Sequence, residues 1–126
     1  METNYINPIV ELVNFNGEDC LKFTFIGHLT AEDATYGVEQ WREFFESAGT
    51  QKVIIIWDST QMTGFDFKAQ VIWQHAIKEM KGQIACVWLV SNSKIIRTGA
   101  KLMSAFTSFC LKVVDNSKQI SFSVLL

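Results

Sequence analysis

With 126 residues, 48% of them hydrophobic and 19% charged, the chain suits one domain (1–126) with a sizeable core and is no candidate for disorder. Its formal charge of −2, with no Lys/Arg cluster standing out, lacks the electrostatic footprint of a nucleic-acid binder. The longest unbroken apolar run, Ile84–Val90, is far short of the roughly 18 residues of a membrane span, and Met1-Glu2-Thr3-Asn4 has an acid where a signal peptide has positive charge. A cytoplasmic protein is expected.

Along the chain, Ile9–Phe15 and Cys20–Ile26 predict two strands, the second alternating Leu21, Phe23 and Phe25 with Lys22, Thr24 and Ile26. Asn16-Gly17 between them supplies the positive φ angles of a tight turn, so the pair should form an antiparallel hairpin. Thr30 is placed to cap a helix, with Glu32 and Asp33 in the first turn complementing its dipole. Ala34, Val38, Trp41, Phe45 and Ala48 share one face of that helix, and Gly49 stops it.

Val53–Trp57 is continuous and β-branched, the pattern of a strand covered on both faces, and Asp58 is expected to end it. A loop through Gly64 should lead to Asp66 as the cap of a second helix, with Ala69, Ile72, Trp73, Ala76 and Met80 inward and Gly82 closing it. Ile84–Val90 is a further buried strand, and Ser91-Asn92-Ser93 caps a third helix. That helix is expected to turn Ile95, Leu102, Met103, Phe106 and Cys110 inward, with Gly99 allowing close packing on the same side. Val113-Val114 suggests a short last strand. Beyond it, Ile120, Phe122, Val124 and Leu126 alternate like a strand while Asn116-Ser117 offers a helix cap, so residues 117–126 stay open between the two. The sum is an α/β domain, a mixed sheet of four or five strands with an N-terminal β-hairpin and three or four helices.

Cys20, Cys86 and Cys110 are widely spaced and form no Cys-x-x-Cys pair, which removes zinc-ribbon and thioredoxin-type chemistry. Free buried thiols are the expectation.

The run Val53-Ile54-Ile55-Ile56-Trp57-Asp58 followed by Gly64-Phe65-Asp66 resembles the core of STAS domains, the sulfate-transporter and anti-sigma-factor-antagonist superfamily. There an apolar strand ends in a polar residue and a short loop leads to a helix opening on an Asp-Ser-Ser-Gly type motif. Leu21–Thr30, strand, then Gly27-His28-Leu29-Thr30, then helix, is similar to the STAS-like branch of small bacterial proteins sometimes grouped with Sec14-type lipid-binding domains. The resemblance implies a STAS-like fold acting by protein interaction. In anti-sigma-factor antagonists a Ser or Thr just after the motif Asp takes a phosphate. Here Phe67, Lys68 and Ala69 follow Asp66, and none has a hydroxyl, so the switch does not carry over to those positions.

Asp58 and Asp66 invite comparison with a paired-carboxylate or cation site, set against the plain roles of strand end and helix cap. His28 and His75 are the only histidines, and neither belongs to a nucleophile motif; His75 should be exposed. No glycine-rich phosphate loop is present. Phe67 falls opposite the apolar face of its helix, as an exposed partner anchor or under a covering loop. The aromatic load (Trp41, Phe44, Phe45, Trp73, Trp88, Phe106, with Met103) suits a solid core or the lining of an apolar pocket. The reading is therefore a non-enzymatic interaction module, without metal or cofactor, that meets a protein partner or a second copy through Asp58, Asp66, Phe67 and Lys68. The alternative is a carrier or sensor of a small, lipid-like apolar ligand.

Overall fold

A computed structural model describes residues 6–121. Strand β1 (Ile9–Phe15) pairs antiparallel with β2 (Glu18–Leu29) across Asn16 and Gly17, whose φ angles of 51° and 87° are those the turn requires. Helix α1 (Ala31–Ala48) starts on Thr30, whose hydroxyl accepts from Asp33 N–H while the Asp33 carboxylate accepts from Thr30 N–H. Strand β3 (Val53–Phe65), helix α2 (Phe67–Met80), strand β4 (Ile84–Val90), helix α3 (Lys94–Thr107) and strand β5 (Leu111–Val114) follow. The sheet order is β1-β2-β3-β4-β5, antiparallel in the hairpin and parallel thereafter.

Each parallel step moves one place along the sheet through one helix, and residues of all three helices share a single core with one face of the sheet. The strand alternation sorts the two faces. Leu21, Phe23, Ile55, Trp57, Val87 and Leu89 meet the helices, whereas Cys20, Ile56, Trp88 and Val90 form a second cluster on the opposite face with Ile120. Buried side chains on both faces explain the unbroken apolar runs of β3 and β4.

Under the helices lies a network of aromatic rings. Trp73 of α2 meets Phe23 and Phe25 of β2, Trp41 of α1 and Trp57 of β3 at centroid distances of 5.4–6.1 Å, mostly edge to face. Gly37 of α1 makes this approach possible. A Cβ there would lie 2.9 Å from Pro8 Cγ and 3.0 Å from Trp73 Cζ3.

Four expectations need correcting. Asp58 does not end β3: the strand runs on to Phe65, because its polar continuation still pairs with β2 through two register shifts. Helix α3 turns Ile96, Gly99, Ala100 and Thr107 inward, while Ile95, Leu102 and Phe106 are exposed, because small residues let the helix approach the sheet more closely than the large ones would. Cys110 lies beyond that helix, just before β5, and is disulfide-bonded to Cys86 of β4, their Cα atoms 4.7 Å apart, which leaves Cys20 as the free thiol. Gly82 does not close α2; it lies in a 3₁₀ turn, Lys81–Gln83, after the helix has ended at Met80. Residues Ser117–Gln119 also form a 3₁₀ turn, and the alternation expected at Phe122, Val124 and Leu126 lies outside the described residues. Among the described residues no helix is long and apolar enough to cross a membrane.

Two measurements check this architecture. Gly37→Ala should destabilise the protein by about 1–3 kcal/mol in urea unfolding through overpacking against Pro8 and Trp73. Gly82→Ala, whose Cβ would meet open space without a positive φ, should instead be neutral or stabilise by up to about 1 kcal/mol; equal effects at the two sites would contradict the packing described. Thiol titration should find none reactive in the folded protein, because burial, aided by Glu18 and Asp19, pushes Cys20 up to about 11. Denaturation without reductant should release one thiol, and three would refute the disulfide.

Candidate functional site

The extended β3 separates the two carboxylates that the sequence offered as a pair. They stand eight residues apart along a largely extended segment, roughly 20–25 Å at the rise of a β-strand. Asp58 sits mid-strand, where its Oδ1 accepts from the Thr60 hydroxyl at 2.7 Å and from Thr60 N–H at 3.2 Å, with Lys22 Nζ 3.9 Å away. Asp66 occupies the cap position of α2 but makes no side-chain capping bond. Its Oδ1 instead lies 2.7 Å from His28 Nε2, and its N–H donates to Leu29 O, so it fastens the start of α2 to the end of β2. The hydrogen bond from His28 holds the Asp66 carboxyl below the usual carboxylate range. Among the described residues no group of three or more His, Cys, Asp or Glu gathers as metal ligands.

Phe67 is 77% exposed, and Lys68 beside it is exposed too. His75 is exposed on the other flank of α2, in a groove of about 290 Å³ shared with α1 that the bidentate pair Arg42–Glu79 spans. Being largely exposed, that pair contributes little stability.

A second, smaller concavity, with a more enclosed apolar lining, lies between α2 and α3. It is a narrow cleft enclosing about 60 Å³, smaller than the usual small-molecule site, and it opens to solvent. Trp57, Phe65 and Trp73 are among its lining, with Gln70 of α2 on one wall and Gly99 and Met103 of α3 on the other. Ser59, which is buried, and Gln70 are its polar lining side chains, and no ionisable group lines it.

Helical geometry carries the apolar surface outward from this cleft. Gly99 faces Gln70 across it, whereas Arg97 and Ser104 bond towards β5. At 100° per residue this places Ile95, Leu102 and Phe106 on the flank of α3 that looks towards α2. They are 74%, 50% and 74% exposed. Phe67 stands one turn before Gln70 on the α2 side. Helical geometry thus sets four large exposed apolar side chains beside the apolar cleft, outside its lining. The sequence reading named these side chains but placed three of them in the core. Of the aromatic set it suggested for a pocket, Trp73 and Met103 line the cleft, Trp41 and Phe45 belong to the solid core, and Trp88 lies on the far face of the sheet.

Comparison with solved structures identifies the fold as STAS-like. An uncharacterised protein of the DUF3478 family with a SpoIIAA-like fold from Shewanella loihica PV-4 superposes with a TM-score of 0.76, covering 94% of each chain at 15% identity. The anti-sigma factor antagonist SpoIIAA in its unphosphorylated form superposes with a TM-score of 0.60, covering 88% of this chain and 92% of that one, also at 15% identity. No family model matches the sequence, and no curated protein matches it either.

The Asp66–His28 contact predicts a pH dependence of definite sign. The folded pKa of Asp66 is lowered, so its contribution to stability is present above the ordinary carboxylate pKa and is lost as pH falls through the lowered value. A carbon-detected NMR titration should give Asp66 a lower pKa in the native protein than in His28→Ala. Identical curves would show that the pair does not form in solution.

Proposed function

We propose that this domain binds a small apolar molecule in the cleft between α2 and α3, as a carrier or sensor rather than as a catalyst. One observation carries the reading: an apolar cleft beside which helical geometry sets the exposed Phe67, Ile95, Leu102 and Phe106, apolar surface of the kind that marks an interaction site. Burial of a ligand against Trp57, Trp73 and Met103 supplies the affinity, and Ser59 with Gln70 supplies the polar contacts that orient it. Catalysis finds little support in the same place, because the cleft lining holds no acid, base or nucleophilic thiol, and Asp58 and Asp66 are spent on local contacts far apart.

A second reading, that of a protein-interaction module, draws on the likeness to an anti-sigma factor antagonist and on the exposure of Phe67 beside Lys68. Asp66 directly precedes Phe67 and Lys68, and Asp58 stands eight residues earlier in β3. On this reading the partner is a protein or a second copy of the chain.

Native mass spectrometry of protein prepared without detergent from its own host distinguishes the two. The first reading expects a stoichiometric extra mass of small-molecule size that is absent from a folded Ala100→Trp variant, in which the indole fills the cleft. Repeatedly bare masses, with a dimer that Phe67→Asp dissociates, would favour the second.

A further inference from the structure

The charges around the cleft say what kind of apolar molecule it takes. From Lys81 to Val114 the chain carries five of its eleven cations, Lys81, Lys94, Arg97, Lys101 and Lys112, and none of its thirteen carboxylates. Three of the five are occupied. Arg97 donates to Ser91 O and to the Asp115 carboxylate, Lys81 donates to Thr107 O, and Lys112 lies over the Trp88 ring at 5.2 Å from its centroid. Lys94 and Lys101 are exposed and have no ion pair among the described residues.

Those two share one row of α3. At 100° per residue Lys94, Thr98 and Lys101 line up beside the row of Ile95, Leu102 and Phe106, and the two ammonium-bearing residues are separated by about 10 Å of helix rise with the exposed Thr98 between them. Lysine side chains lie along apolar surface and extend their charged ends beyond it, so both can converge on a group above Thr98. An apolar cleft, an apolar rim and a cationic border therefore follow one another outward.

We infer that the ligand is a single-chain amphipathic anion, a long-chain carboxylate, with the end of its chain in the α2–α3 cleft, the rest along Ile95, Leu102 and Phe106, and its head group between Lys94 and Lys101. The inference rests on the reading of the cleft as a ligand site. The enclosed space, about 60 Å³, admits only the end of one chain, so the rest of it lies along the apolar side chains beside the cleft. Two lysines at a solvent-exposed border add selectivity for charge more than affinity, and their share weakens with salt.

Calorimetric titration with dodecanoate, dodecanol and dodecyltrimethylammonium, each below its micellar concentration, tests it. Dodecanoate should bind at one site per chain, more tightly than dodecanol, and the cation should bind worst. Lys94→Gln with Lys101→Gln should weaken dodecanoate about tenfold while leaving dodecanol unchanged, and added salt should do the same. Ala100→Trp should weaken both, and Met103→Trp provides a second obstruction if the first fails to fold by circular dichroism. Equal binding of dodecanoate and dodecanol, indifferent to the lysines but lost on obstruction, would overturn the anion while sparing the cleft. Failure of every probe would overturn the cleft itself. Sedimentation with phosphatidylglycerol vesicles that persists in the obstructed variants would overturn the proposal in favour of a lipid surface.

Discussion

Trp73 sets the position of α2, and the cleft follows from that. Its indole meets rings from β2, β3 and α1, so the helix is drawn towards α1 and down onto the hairpin side of the sheet. Helix α3 is drawn the other way. Arg97 bonds to Ser91 O and Asp115, and the Ser104 hydroxyl donates to Phe109 O, which fastens that helix over β4 and β5. Two helices anchored to opposite halves of one sheet face leave a wedge between them. Gly99 and Ala100 border that wedge and do not fill it. A Cβ at Gly99 would already sit 3.3 Å from the Phe65 ring, so the wall cannot thicken there without moving the floor.

The one-sided arrangement has a further consequence. Because all three helices cover the same sheet face, rings beneath them such as Phe23, Trp41 and Phe45 cement α1 and α2, while Trp57, Phe65 and Trp73 line the space beside α3. A second apolar cluster, around Ile56, Trp88 and Ile120, occupies the opposite face and takes no part in the cleft.

Local rules made much of this legible. Asn16-Gly17 specified the hairpin, Thr30 with Asp33 specified the start of α1, and Ile84–Val90 marked β4 with its observed bounds, because each depends on neighbours in sequence. The misplaced features depend on partners distant in sequence. The second half of β3 contains Ser, Thr, Gln and Gly, and it persists as strand because β2 offers it a paired edge through bulges that no propensity announces. The inner face of α3 follows close approach to the sheet, so Gly99 and Ala100 outrank Ile95, Leu102 and Phe106, the residues that hydrophobicity favours. Cys86 and Cys110, separated by 24 positions, become neighbours only through the β4–β5 pairing. Phe67 stood open between an exposed anchor and a covered side chain; it is exposed, and its large apolar neighbours lie on another helix. One signal was present and went unread: the absence of any carboxylate between Glu79 and Asp115, hidden by a nearly balanced total charge.

The central claim is that the α2–α3 cleft, and no other surface, is where this domain meets its ligand. Chemical-shift mapping by ¹H–¹⁵N NMR with a short neutral alcohol such as hexanol tests it without invoking the border charges. The account predicts saturable shifts at Phe65, Gln70, Gly99 and Met103, with the α1–α2 groove around His75 undisturbed. Shifts confined to that groove or to the Trp88 face of the sheet, or scattered shifts that never saturate, would contradict it.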